Sequence, residues 1–178
     1  NLNYFAGNWQ VSAGKTTQGL LSRVRVWNYL FEEVLPKEEA GTIQGASDLL
    51  SHYIGEAYFF RALSYYVALV KYGDFPIVEE VLPDQSDVLV KHSKRAPRNE
   101  VARFILKDLD EAISRLKDHG FQMNQRINKQ TALLLKSRVA LFEATFEKYH
   151  QGTGRVPGDA NWPGAKMDYN SGKSFDIP

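Results

Sequence analysis

Three adjacent carboxylate pairs, Glu32/Glu33, Glu79/Glu80 and Asp110/Glu111, are the first residues to weigh for chemistry. Acid–base cleavage of a glycosidic bond needs two carboxyl groups converging across a cleft, about 5 to 10 Å apart. Neighbours in sequence diverge on a helix or a strand, so these pairs do not supply that geometry. His52, His92, His119 and His150 are scattered, none within a helical turn of another, and no His-Glu-x-x-His spacing occurs, which argues against a zinc site. The chain has no Gly-x-Gly-x-x-Gly, no Gly-Lys-Ser/Thr and no Gly-x-Ser-x-Gly, so nothing points to an enzyme or to a resident cofactor. Asp159, Asp168 and Asp176 carry the oxygen ligands calcium takes, yet they lack the spacing of a calcium loop and read as solvated positions.

Binding without catalysis asks for other parts. Flat aromatic faces cover the apolar C–H surface of a sugar ring, and planar polar groups hydrogen-bond its hydroxyls. Tyr4, Phe5 and Trp9, interleaved with Asn3, Asn8 and Gln10, fit that description, and Trp162 beside Asn161 is a second instance. The competing reading is that these rings seal loops onto the core, since isolated surface aromatics are common. Tyr58, Tyr65 and Tyr72 are different: spaced by sevens within a helical pattern, they face a core.

The composition narrows the setting. At 178 residues and 43% hydrophobic content the chain has the length of one domain and can bury a core. Its 22 Lys and Arg against 21 Asp and Glu leave a net charge of +1, with no basic run to hold a nucleic acid. No stretch reaches the roughly 18 apolar residues of a membrane span, and the opening NLNYFAGNWQ lacks the regions of a signal peptide. Without Cys there is no disulfide framework, thiol nucleophile or thiolate metal site.

The elements that must position these residues read as one all-α region over 1–178, with a loop at 1–19, a helical core at 20–150 and an irregular loop at 151–178. Leu20, Val24, Trp27, Phe31 and Val34 set a first helix that Pro36 should end. Ser47 is a good N-cap for a second, running to Tyr72 and closed by Gly73 with Pro76 beyond. Eight aromatic residues between Tyr53 and Phe75 leave that helix little polar surface except the arc of Arg61, Ser64 and Lys71, so it needs neighbours on more than one side. After a polar connector from Pro83 to Pro97, Val101, Ala102, Ile105, Leu106, Leu109, Ala112, Ile113 and Leu116 form the stripe of a third helix. Ala132, Leu135, Val139, Phe142 and Phe146 mark a fourth, beginning near Asn128 or Lys129. The third and fourth have the dimensions of a helix-turn-helix repeat, about 34 residues, which predicts a tetratricopeptide-like stack of helical hairpins with long loops. A plain bundle is the alternative.

Gly55-Glu56-Ala57, Phe60-Arg61-Ala62 and Leu69-Val70-Lys71-Tyr72-Gly73-Asp74-Phe75-Pro76-Ile77 resemble the helix and turn that mark the SusD/RagB family, the nutrient-binding outer-membrane lipoproteins of Bacteroidetes. Arg98, Ile105, Asp108-Leu109, Ala112, Arg126, Ala132 to Leu135 and Arg138 to Leu141 follow in the family's order, and the similarity runs roughly from Trp27 to Tyr149. The resemblance implies a surface-exposed glycan- or nutrient-binding protein, lipid-anchored in the outer membrane, that passes oligosaccharide to a SusC-like TonB-dependent transporter. Family members are longer and carry a lipid-acceptor Cys, so the chain is expected to be an internal fragment whose anchor lies outside it. The resemblance also brings the loop before the Trp27 helix near where relatives contact glycan, which favours Tyr4, Phe5, Asn8 and Trp9 as ligand contacts. The rival expectation is an interaction scaffold on the same helices with no ligand site.

Two charges sit in apolar arcs: Glu56 on the second helix, and Arg138 between Leu134, Leu135 and Phe142 on the fourth. An unpaired charge there is costly. Arg61 and Arg138 are therefore expected to find carboxylates among Glu56 and Asp108, tying the helices together.

Overall fold

The computed structural model describes residues 18–173 and 175. Five α-helices follow in order among them: α1 (Gln18–Glu39), α2 (Ser47–Tyr72), α3 (Ser86–His92), α4 (Arg98–Arg115) and α5 (Lys129–His150). Short 3-10 turns occupy Phe121–Asn124, Pro163–Lys166 and Asp168–Asn170. The protein is all-α: among the described residues no strand forms, and the one β pairing is an isolated bridge between Phe75 and Ala96.

The aromatic helix α2 is the hub. It packs against α1 and, more extensively, against α4, and α5 lies on α4. Ile54 and Ala57 of α2 pack with Phe31 of α1. Ala62, Tyr65, Ala68 and Leu69 of α2 meet Val101, Ile105, Leu109 and Ala112 of α4, all of them nearly inaccessible to water. At about 1.5–3 kcal/mol for each large apolar side chain removed from water, this interface is the chief source of stability. Gly55 allows the closest approach, because a Cβ there would meet Arg115 Cβ at 3.0 Å and the Leu116 backbone nitrogen at 3.2 Å.

Two features depart from the sequence reading. Pro36 does not end α1, which continues to Glu39. A proline this close to a C-terminus disrupts one turn only, and the turn it enters goes on to close through Ala40 N to Pro36 O at 3.0 Å. The connector from Pro83 to Pro97 contains α3, a helix of two turns with no buried residue, too short to print a period.

The Tyr-Gly-Asp-Phe-Pro stop is a junction. Gly73 takes φ +69, a region that costs a side chain, and its N–H caps α2 on Leu69 O at 2.9 Å. The chain then turns so that Phe75 is 1% exposed and exchanges both backbone bonds with Ala96 at 3.1 Å. Asp74 Oδ1 accepts from Arg98 N at 3.0 Å, satisfying a first-turn donor of α4 that Pro97 cannot cap.

Candidate functional site

The interior holds charges as well as apolar side chains. Arg61 donates from Nε to Asp108 Oδ2 and from Nη2 to Asp108 Oδ1, both at 2.7 Å, and from Nη1 to Asn28 Oδ1 at 3.0 Å. Its guanidinium lies 4.6 Å from the Phe31 ring centroid and 5.2 Å from that of Phe104. Burial works to lower the Arg61 pKa, but the hydrogen bonds and charge of Asp108 outweigh it and leave it raised. Asn28 Nδ2 passes the network on to Val78 O at 2.8 Å and Glu80 O at 3.2 Å. The polar arc of α2 is thus turned inward at Arg61, joining α1, α2, α4 and the 76–82 segment.

A second buried pair anchors α5. Arg98 donates from Nε to Glu143 Oε1 and from Nη2 to Glu143 Oε2, both at 2.7 Å, and stacks 3.3 Å from the Phe146 centroid. One turn further, Glu147 is 2% exposed, and its Oε1 has no hydrogen-bond partner among the described residues. Burial and the charge of Glu143 push the Glu147 carboxyl up to about 7, against the pull of Arg98 and Arg103. Neither Glu143 nor Glu147 was singled out from sequence, although both continue the stripe of Ala132, Leu135 and Val139 at four-residue steps.

Glu56 takes neither of the arginines expected for it. Arg126 binds it, with Nε to Oε1 at 2.9 Å and a second contact from Nη2 to Oε2, while His52 Nε2 stands 3.4 Å from Oε1. Arg138 corrects the expectation outright: it is exposed and pairs with no carboxylate among the described residues. It occupies the face of α5 turned away from α4, where water solvates the guanidinium and no partner is required.

Trp162 is packed rather than presented. It is 2% exposed, its Nε1 donates to Asp74 Oδ2 at 3.0 Å, and Gly164 packs on its ring so closely that no Cβ could be added there. A ring in this position is spent on holding the 151–173 loop to the α2–α4 junction. Trp162→Phe removes one donor to a part-buried carboxylate, and a cost of about 1–3 kcal/mol is expected. Hydrogen exchange over 154–163 should rise while α2 amides keep their protection. Tyr4, Phe5, Asn8 and Trp9 lie outside the described residues.

The adjacent carboxylates disperse. Glu33 pairs with Lys37 at 2.9 Å, Glu79 with Lys107 at 3.9 Å, Glu80 with His92 at 3.7 Å, Glu111 with Arg115 at 3.8 Å, and Asp110 with Lys136. Asp159 spends both oxygens on the Gly152 and Gly154 amides, and among the described residues no group of three His, Asp or Glu is placed to hold a metal. No helix among them is long and apolar enough to cross a membrane. A groove of about 470 Å³ opens between α1, the 76–82 segment and α3, with Leu21, Val24, Val78 and Leu82 in its walls. The Arg61–Asn28 network fixes the backbone of that wall.

This is a stack of helical hairpins of tetratricopeptide type, tied together by buried arginine–carboxylate pairs. A family model described as SusD-like, starch-binding and associating with the outer membrane, matches residues 21–141, and the chain belongs to that SusD-like family. SusD-like protein P2 of Formosa agariphila is 30% identical over 109 residues, covering 61% of this chain and 21% of its own length. A crystal structure of a SusD-like protein from Bacteroides fragilis is similar over 78% of this chain and 26% of its own, with 28% identity and a TM-score of 0.60. Surface glycan-binding protein A from Bacteroides fluxus shares the fold at a TM-score of 0.57 and 20% identity, over 79% of this chain and 29% of its own. The chain therefore spans between a fifth and a third of the length of these relatives.

Proposed function

We propose that this chain is the helical portion of a glycan-capturing protein at the cell surface, which binds oligosaccharide and delivers it to a SusC-like TonB-dependent transporter. The observation that carries the reading is the family match across residues 21–141, whose description joins starch binding to the outer membrane. The protein acts by binding and not by catalysis, and a lipid anchor outside this chain holds it to the outer membrane. The loop residues Tyr4, Phe5, Asn8 and Trp9 make the ligand contacts in this reading, with rings on the sugar face and the amide on its hydroxyls.

One observation favours a second reading. Trp162, the aromatic proposed from sequence that falls among the described residues, is packed rather than presented. An interaction scaffold would treat its loop aromatics in this way. Purifying the tagged full-length protein from detergent-solubilised outer membranes separates the two. Glycan capture predicts a TonB-dependent transporter in the eluate and retention of the protein on an immobilised oligosaccharide. Partner recovery with no retention on any oligosaccharide supports the scaffold.

A further inference from the structure

A second cavity, of about 430 Å³, opens where the end of α2, the start of α4, the C-terminal half of α5 and the 154–163 loop meet. Lys71, Arg95, Arg98 and Arg155 line it, and Asp74 is the one carboxylate among its lining residues. Arg98 is committed to Glu143. Lys71, Arg95 and Arg155 are exposed, and none pairs with a carboxylate within salt-bridge distance among the described residues.

Other cations of the molecule are spent between elements. Arg61 goes to Asp108, Arg115 to Glu38, Arg126 to Glu56 and Lys117 to Asp48. Asp74 offsets part of this charge, acting on Arg95 and Arg98, while its oxygens accept from the Arg98 amide and the Trp162 indole, so one carboxylate faces four cations. The N-terminus of the 18-residue α4 opens beside it and adds positive potential. Three cations held around one opening repel one another, and a bound anion relieves that repulsion. The half-buried rings of Phe142 and Phe146 supply apolar lining next to the charges. A cavity of this size, with convergent cations over an apolar wall, suits a ring that carries an acid group.

We infer that this cavity is a subsite for the carboxylate or sulfate group of an acidic saccharide, with Lys71, Arg95 and Arg155 as the anion-binding side chains. The inference rests on the glycan-capture reading and narrows it to a class of glycan. Arginine forks bind both groups in a bidentate manner, so either acid is accepted.

The test is calorimetric titration of the full-length protein with two matched pairs: an oligogalacturonate against its methyl ester, and a sulfated dextran oligosaccharide against dextran. At least one acidic member is expected to bind about tenfold or more tightly than its uncharged counterpart, as loss of a charge-assisted hydrogen bond implies. Arg95→Gln combined with Arg155→Gln should abolish that preference, whereas Arg138→Gln, which removes a charge outside the cavity, should keep it. Equal binding of charged and uncharged members overturns the inference and leaves glycan capture standing. So does an acid preference that survives the double substitution or falls equally with Arg138→Gln. Failure to bind any oligosaccharide, these four and a broader neutral panel included, overturns glycan capture and the inference with it.

Discussion

Arg61→Ala will destabilise the protein by about 3–5 kcal/mol, because it leaves the Asp108 carboxylate buried without its partner. Asp108 is 2% exposed and takes two hydrogen bonds from Arg61 at 2.7 Å, so no rearrangement of neighbours can bring water to it cheaply. The loss should propagate, since Arg61 also holds Asn28, and Asn28 holds the backbone at Val78 and Glu80. The paired replacement Arg61→Met with Asp108→Leu removes both charges and should recover at least half of the loss. Urea unfolding of the four members of this double-mutant cycle measures the coupling directly. A cost below about 1 kcal/mol for Arg61→Ala would place the pair among solvent-screened surface bridges and contradict the buried geometry.

The second large effect is a dependence on pH located at the end of α5. Glu147 has a carboxyl pushed up to about 7 from an ordinary 4.5, chiefly by burial and then by the charge of Glu143. The folded protein then keeps a proton that the unfolded chain releases above pH 4.5. Stability from this group is undiminished below 4.5, declines as pH rises through the window from 4.5 to about 7, and is level above it. The shift corresponds to a full linkage of about 3 kcal/mol, in which the opposing pull of Arg98 and Arg103 is already included. Glu147→Gln should flatten that slope and make the variant more stable than the parent at pH 8, with little difference at pH 4.5. Thermal unfolding at a series of pH values reads this out. A variant less stable than the parent at pH 8 would mean that the ionised Glu147 is a net stabilising partner for Arg98 or Arg103.

How much of this was legible in the sequence depends on whether a feature is local. The stop of α2 at Gly73 followed from its C-cap, as the start of α5 did from its N-cap Asn128, whose side chain accepts from Thr131 N at 3.0 Å. At the start of α2 the expected cap Ser47 is instead the first helical residue, Ala46 takes the cap position and no side chain caps it. The all-α class followed from the same signals. Pairing of charges did not, because it depends on which faces of two helices meet. Arg138 stands one residue, or about 100°, from the fully buried Val139, and that rotation carries it from the α4 interface into water. Glu143, on the Val139 line, stays inside and meets Arg98 from 45 residues earlier. A charge on an apolar stripe was the available signal, and it was read at Arg138 when it belonged to Glu143 and Glu147. The packing of Trp162 was not legible for a related reason: a loop residue can reach back to any element, and here it reaches Asp74, 88 residues away.

The ligand contacts proposed here fall ahead of α1, and one titration addresses them together with glycan capture. Isothermal calorimetry of the full-length protein with an oligosaccharide that it retains on a column, compared with its Trp9→Ala form, measures whether the opening loop contacts sugar. Loss of one stacking aromatic predicts a weakening of about tenfold or more, with the fold and the unfolding midpoint unchanged. An unchanged affinity would remove the loop from the site, and absence of saccharide binding by the parent would contradict glycan capture itself.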